Sequence, residues 1–302
     1  MIRRIRTNCA VFELADEGPL KPAPSENASN SPPAQAASRR PSLGSAAPSD
    51  RGAPIVLLHG FTGNKQSFRA LRETLRPNHR VISFDLPWHG GTAVCVPEGE
   101  MSVERCAAAL VEALDQLGAR RFALLGYSMG GRIALATAAS HPERVARLML
   151  ESASAGLKSG AERAARLKTD RALAAFAERR GIEAFVRRWE AMALFASLAE
   201  MPEAARAELR QTRLSCSPGA LAACLRAMSV GAQPGLEDRL EALRAPALIV
   251  AGGRDEKFCA IGRELARAIA GARLKIIDGA GHAPHLERPE QFNRLAAGFF
   301  AP

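Results

Sequence analysis

The pentapeptide Gly126-Tyr127-Ser128-Met129-Gly130 sets one serine between two glycines and between two segments of opposite character. Residues 121–125 are a short apolar run suited to a buried strand, and residues 132–139 are rich in helix formers. A serine on such a strand-to-helix turn is a nucleophile-elbow pattern. The turn is sharp and strained, and a close strand–helix crossing leaves no room for Cβ atoms at positions 126 and 130. The helix start supplies free backbone N–H groups and a positive dipole end, both suited to developing negative charge. The chemistry implied is that of a serine hydroxyl activated by a partner base.

That base needs an acid to orient it. Of the six histidines, His282 in Gly279-Ala280-Gly281-His282 is best placed, directly after the last strand-like run. His59 belongs to a turn, His79 and His141 to helix ends, and His89 follows Pro87-Trp88, so structural roles are expected for these; His285 lies close to His282. Asp255, after the run at 245–251, is the expected acid, with Glu151 at the end of the preceding strand as its competitor. Backbone N–H groups of Met129 and of Phe61, within His59-Gly60-Phe61-Thr62-Gly63, are the expected oxyanion donors, since glycines there let a ligand approach the backbone. Arg132 lies one helical turn beyond Ser128 on the same face, where its planar fork could take a carboxylate or pair with a loop carbonyl.

These residues need elements to position them. Residues 1 to about 15 read as one or two edge strands, and 17–53 shift to Pro, Ser, Ala and Asn, a composition unsuited to a packed core. Strands are expected at 54–59, 80–85, 121–125, 145–150, 245–251 and 273–277, and helices at 65–75, 101–117, 132–139, 259–269 and 289–299. Such alternation predicts an α/β fold, a mostly parallel sheet covered on both faces. Residues 157–230 carry helical pattern and no convincing strand, and are expected to form a lid over the strands' carboxyl ends. The first part of the core would then be 54–156 and the second 231–302.

Composition excludes several classes. No apolar run approaches the roughly 20 residues that span a bilayer, and the N-terminus lacks the long apolar stretch of a secretory signal. The formal charge is +10, but basic residues are not interleaved with aromatics, which argues against a nucleic-acid surface and leaves an anionic small substrate open. Six scattered cysteines with no Cys-x-x-Cys pair fit reduced thiols in a cytoplasm better than disulfides or a zinc site.

With the elbow extended to Gly131-Arg132, and with Ala155-Gly156-Leu157, Glu162 to Arg166, Trp189 to Ser197, Gly231-Ala232-Gln233-Pro234 and Asp255-Glu256-Lys257-Phe258, the chain from Pro54 onward resembles one family. It is that of the 2-succinyl-6-hydroxy-2,4-cyclohexadiene-1-carboxylate synthases of menaquinone biosynthesis, in the α/β-hydrolase superfamily, whose chain order Ser…Asp…His matches Ser128, Asp255 and His282. The resemblance implies a lyase that expels pyruvate from a small tricarboxylate substrate, with no metal or organic cofactor, in a monomer or small homo-oligomer. It implies carboxylate-binding roles for Arg132, Arg166 and Arg213 and pocket-wall roles for Tyr127, Trp189 and Phe195. Ala155 stands where the family often has Pro, and the 17–53 insertion is longer than usual. The alternative is a serine carboxylester or thioester hydrolase with the same triad; a triad-bearing binding module is a third reading, against which the intact triad argues.

Overall fold

In the computed structural model, which describes residues 1–18 and 52–301, the chain opens with two antiparallel strands, β1 (Ile2–Arg6) and β2 (Ala10–Glu17). Then come β3 (Ile55–Leu58), α1 (Arg69–Leu75), β4 (Val81–Phe84), β5 (Ala93–Val94), α2 (Val103–Gln116), β6 (Phe122–Tyr127), α3 (Met129–Ser140) and β7 (Val145–Glu151). Three further helices, α4 (Gly160–Glu190), α5 (Glu203–Leu214) and α6 (Pro218–Ala227), separate β7 from β8 (Ala247–Gly252). The chain closes with α7 (Glu256–Ala268), β9 (Arg273–Ile277), α8 (Pro284–Glu287) and α9 (Pro289–Phe300).

The sheet runs β1-β2-β4-β3-β6-β7-β8-β9, with β5 paired to β2. Pairing is parallel from β4 through β9 and antiparallel where β2 meets β1, β4 and β5. Side chains alternate across a strand, and both faces here are buried. Val56 and Leu58 of β3 join one cluster with Leu110 of α2, Ile133 of α3 and Leu265 of α7. Ile55 and Leu57 join the other with Leu71 of α1 and Phe292 of α9. Two-sided burial explains why these strands read as continuous apolar runs.

Differences from expectation are local. Of the two N-terminal strands, β1 lies at the sheet's edge and β2 inside it, between β1 and β4. The helix expected from 65 begins at Arg69, because Asn64 and Ser67 tie the backbone into a turn: the Asn64 carboxamide accepts from Gln66 N–H and the Ser67 hydroxyl accepts from Asn64 N–H. The two-residue β5 and the single turn α8 are too short to leave a periodic signal. Most of the 17–53 insertion lies outside the described residues. No helix among the described residues is long and apolar enough to cross a membrane.

Candidate active site

Ser128 follows β6 with φ 50° and ψ −106°, a left-handed conformation that costs a non-glycine residue free energy. The turn holds because its neighbours are stripped of side chains: a Cβ at Gly126 would strike the backbone of Gly130, and one at Gly130 would strike the carbonyl of Leu58. Ser128 N–H also donates to the Glu151 carbonyl of β7 at 2.9 Å.

Asp255 follows β8 and caps α7, its Oδ1 accepting from Phe258 N–H at 3.2 Å. Its Oδ2 lies 2.7 Å from Nδ1 of His282, on the loop after β9. A carboxylate can only accept at this contact, so Nδ1 carries the proton and Nε2 is left to accept from the Ser128 hydroxyl, 3.2 Å away. His282 is 3% exposed and Asp255 8%, so water competes little for either contact. Glu151 goes elsewhere: its Oε1 takes both Nδ1 (2.8 Å) and backbone N–H (2.9 Å) of His285.

Among the described residues no chain atom accepts from the N–H of Phe61 or of Met129, the first residue of α3. The Gly60 carbonyl, in the same peptide unit as Phe61 N–H, is held by Gly63 N–H at 3.0 Å and by His59 Nδ1 at 2.7 Å. Thr62 N–H donates to His89 Nε2 at 3.1 Å and Leu86 N–H to His59 Nε2 at 3.0 Å. Burial pushes His59 down to about 4 and His89 to about 3, so both rings are neutral acceptors buttressing this loop.

Ser128 and His282 open onto a cavity of about 390 Å³ between the sheet's carboxyl edge and the helical insertion. All six residues that the resemblance assigns to substrate, Tyr127, Arg132, Arg166, Trp189, Phe195 and Arg213, line it. Their own partners differ. Arg132 donates to the Met228 carbonyl (2.7 Å) and to Gln233 Oε1 (2.8 Å), both uncharged. Burial, with Arg166 nearby, lowers it to about 10, which leaves it charged at neutral pH. Arg166 Nε–H is shared between the two carboxylate oxygens of Asp170, at 2.8 and 2.9 Å, and Asp170 also takes the Ser229 hydroxyl at 2.6 Å. Arg213, 6% exposed, pairs with Glu190 at 3.2 Å and sits 5.3 Å over the Phe195 ring.

Trp189 lies edge-on to Phe61 and tilted toward Phe195, with ring centroids 5.1 and 5.2 Å apart. Its Nε1 and Arg213 Nε are buried donors without a partner among the described residues. Tyr127 lies 5.5 Å from the His282 ring; burial and then the Glu151 charge raise its phenol well above the ordinary value, so it stays protonated. Asp170, Glu190, Ser229 and Gln233 carry contacts to the arginines and their partners that the sequence did not assign, although Glu190 and Gln233 lie within motifs quoted above. Only Asp170 left a readable signal, four residues after Arg166 on one helix face.

The described residues hold no cluster of three or more His, Cys, Asp or Glu side chains able to bind a metal ion, and all six cysteines are free.

Residues 55–295 match the alpha/beta hydrolase family. A putative 2-succinyl-6-hydroxy-2,4-cyclohexadiene-1-carboxylate synthase of Bacillus subtilis (strain 168) is 42% identical over 245 residues, covering 81% of this chain and 89% of the relative. The solved structure of MenH from S. aureus superposes with a TM-score of 0.78 at 35% identity, over 84% of this chain and 95% of that one. A thermophilic esterase from Thermogutta terrifontis superposes with a TM-score of 0.75 at 25% identity, over 99% and 97%. The chain belongs to the 2-succinyl-6-hydroxy-2,4-cyclohexadiene-1-carboxylate synthase family, on an α/β-hydrolase scaffold.

Proposed function

We propose that the chain eliminates pyruvate from 2-succinyl-5-enolpyruvyl-6-hydroxy-3-cyclohexene-1-carboxylate, giving 2-succinyl-6-hydroxy-2,4-cyclohexadiene-1-carboxylate. The observation that carries the reading is a serine–histidine–aspartate relay opening onto a cavity walled by three arginines, in a chain of this family.

In this mechanism Ser128 is a base rather than a nucleophile. The Ser128 oxygen takes a ring proton as its own passes to His282 Nε2, and Asp255 stabilises the imidazolium. The electrons of the broken C–H bond move onto the succinyl carbonyl, whose oxygen becomes enolate-like between the N–H groups of Phe61 and Met129. Collapse of the enolate breaks the ring C–O bond and expels enolpyruvate. The proton returns from His282 to that leaving group, which becomes pyruvate. Arg132, Arg166 and Arg213 bind carboxylates, and the apolar walls of Tyr127, Trp189 and Phe195 exclude water, which strengthens every charge contact inside. Helices α4–α6 serve as the lid. Six free thiols suit a reducing cytoplasm.

Elimination and hydrolysis separate by chemistry. Ester hydrolysis by this triad passes through an acyl-Ser128 intermediate that hydroxylamine traps. Elimination releases pyruvate in step with substrate loss, never acylates Ser128, and shows a primary isotope effect on the abstracted hydrogen wherever its removal limits the rate. Trapping a productive acyl-enzyme with no pyruvate released would sink the lyase reading and favour the esterase.

A further inference from the structure

Glu151 and His285 form a second carboxylate–histidine pair that the mechanism above leaves unused. Glu151 is 0% exposed, and both groups bonded to its side chain belong to His285; Oε2 is buried with no partner. Because the carboxylate holds Nδ1–H, the other ring nitrogen is the only one free to act. His285 lines the same cavity as Ser128, and its Nε2 has no hydrogen-bond partner among the described residues. Phe68, Tyr127 and Phe292 flank the ring, with centroids 4.6, 4.7 and 6.0 Å away, so it cannot turn aside.

The charge balance gives this nitrogen a task. A buried carboxylate is costly unless a cation compensates it, and Glu151 finds its partner only in His285. The other titratable groups around the pair are Tyr127 on β6, the His282–Asp255 pair beyond Tyr127, and Glu287 on α8, which is occupied by the N–H groups of Gly281 and Ala283. Arg69 of α1 and Arg213 of α5 line the same cavity, each already paired with a carboxylate, Glu208 and Glu190. An anion arriving beside Nε2 adds negative charge to that of Glu151, and both favour the imidazolium.

We propose that His285, clamped by Glu151, is a ligand-binding residue whose Nε2 hydrogen-bonds an anionic group in the cavity and takes up a proton from solvent as the anion binds. The inference rests on the function above only in requiring an anionic ligand.

The test is calorimetric titration of the full chain with 2-(3-carboxypropanoyl)benzoate, a flat dicarboxylate that cannot eliminate, near neutral pH in phosphate and in Tris. The difference in heat between the two buffers counts protons. Wild type should take up protons on binding. His285→Gln should take up fewer and bind about tenfold more weakly, the loss of one charge-assisted contact. Equal uptake and equal affinity in the two proteins would overturn the inference. So would a wild type that does not bind the dicarboxylate, and pyruvate release measured separately then shows whether the function reading falls with it. Should His285→Gln fail to fold, nitrogen NMR of the wild-type histidines decides: the His285 Nε2 resonance must move toward the protonated position on adding the dicarboxylate, and a stationary resonance overturns the proposal.

Discussion

At the sheet's carboxyl edge, Ser128, Asp255 and His282 each follow a parallel strand, and backbone hydrogen bonds fix where they stand. In the helical insertion, Arg166 and Arg213 are placed by neighbouring carboxylates, Asp170 and Glu190, and Trp189 by the rings of Phe61, Phe185 and Phe195. The first region fixes its groups through main chain, which tolerates few conformations. The second fixes them through side-chain pairs that different sequences can build in different ways. The fold is shared with a Thermogutta terrifontis esterase, so the fold alone does not set the reaction.

The sharpest way to break this contrast is to remove the relay. Ser128→Ala and His282→Ala should each lower pyruvate release, followed with lactate dehydrogenase, by about a thousandfold or more, with the unfolding transition unmoved. Exchanging the acids separates the two carboxylate–histidine pairs. Asp255→Asn should cost about as much activity, because it leaves His282 in the wrong tautomer. Glu151→Gln should act chiefly on ligand binding, since the amide oxygen can still accept from His285 but carries no charge; urea unfolding should show a loss of only about 1–2 kcal/mol. Near-full activity in Asp255→Asn alongside a dead Glu151→Gln would reverse the two assignments.

Along the cavity wall, changing Arg132 of α3, or Arg166 or Arg213 of the insertion, to Ala should cost about 2–4 kcal/mol each in kcat/KM, with Lys rescuing only in part. Arg132→Ala should cost most, because its partners are neutral and no carboxylate takes up its charge. Rapid turnover of neutral esters that ignores all three changes would return the site to the esterases.

The smallest effect concerns the loop that bears Phe61. His59 and His89 are held neutral well below the free histidine value. Folding therefore excludes protons that the unfolded chain binds, and stability present above the unfolded pKa of 6.5 falls as pH drops toward 4 and 3. Each histidine adds about 1.4 kcal/mol per pH unit to that slope, and His89→Gln should flatten it by about that much in urea titrations across the range.

The grouping of Ser128, Asp255 and His282, proposed as the relay, was legible from residue types at strand ends: Gly126 and Gly130 announce the turn, and the order of the three follows from the strand order. Two-sided burial made most strands readable as apolar runs. The partners of the arginines were not legible. Gln233 reaches Arg132 across 101 positions, and Glu190 reaches Arg213 from a different helix, distances at which no local pattern carries information. Glu151 was weighed as a rival acid because its strand-end position alone fits that role. Only three dimensions show its carboxylate facing His285. The late start of α1 has a local cause in Asn64 and Ser67, which compete for the backbone a helix would use.

Gly130 sets a tolerance. The helix that begins at Met129 can press against the end of β3 only because position 130 carries nothing where the Leu58 carbonyl passes. Phe61 lies three residues beyond that carbonyl, so the separation between its N–H and that of Met129 is gauged by the thickness of one missing methyl group. A single added carbon at this point would push the helix off the end of β3 and part the two N–H groups proposed as oxyanion donors. That spacing is thus kept by a residue with no chemistry of its own.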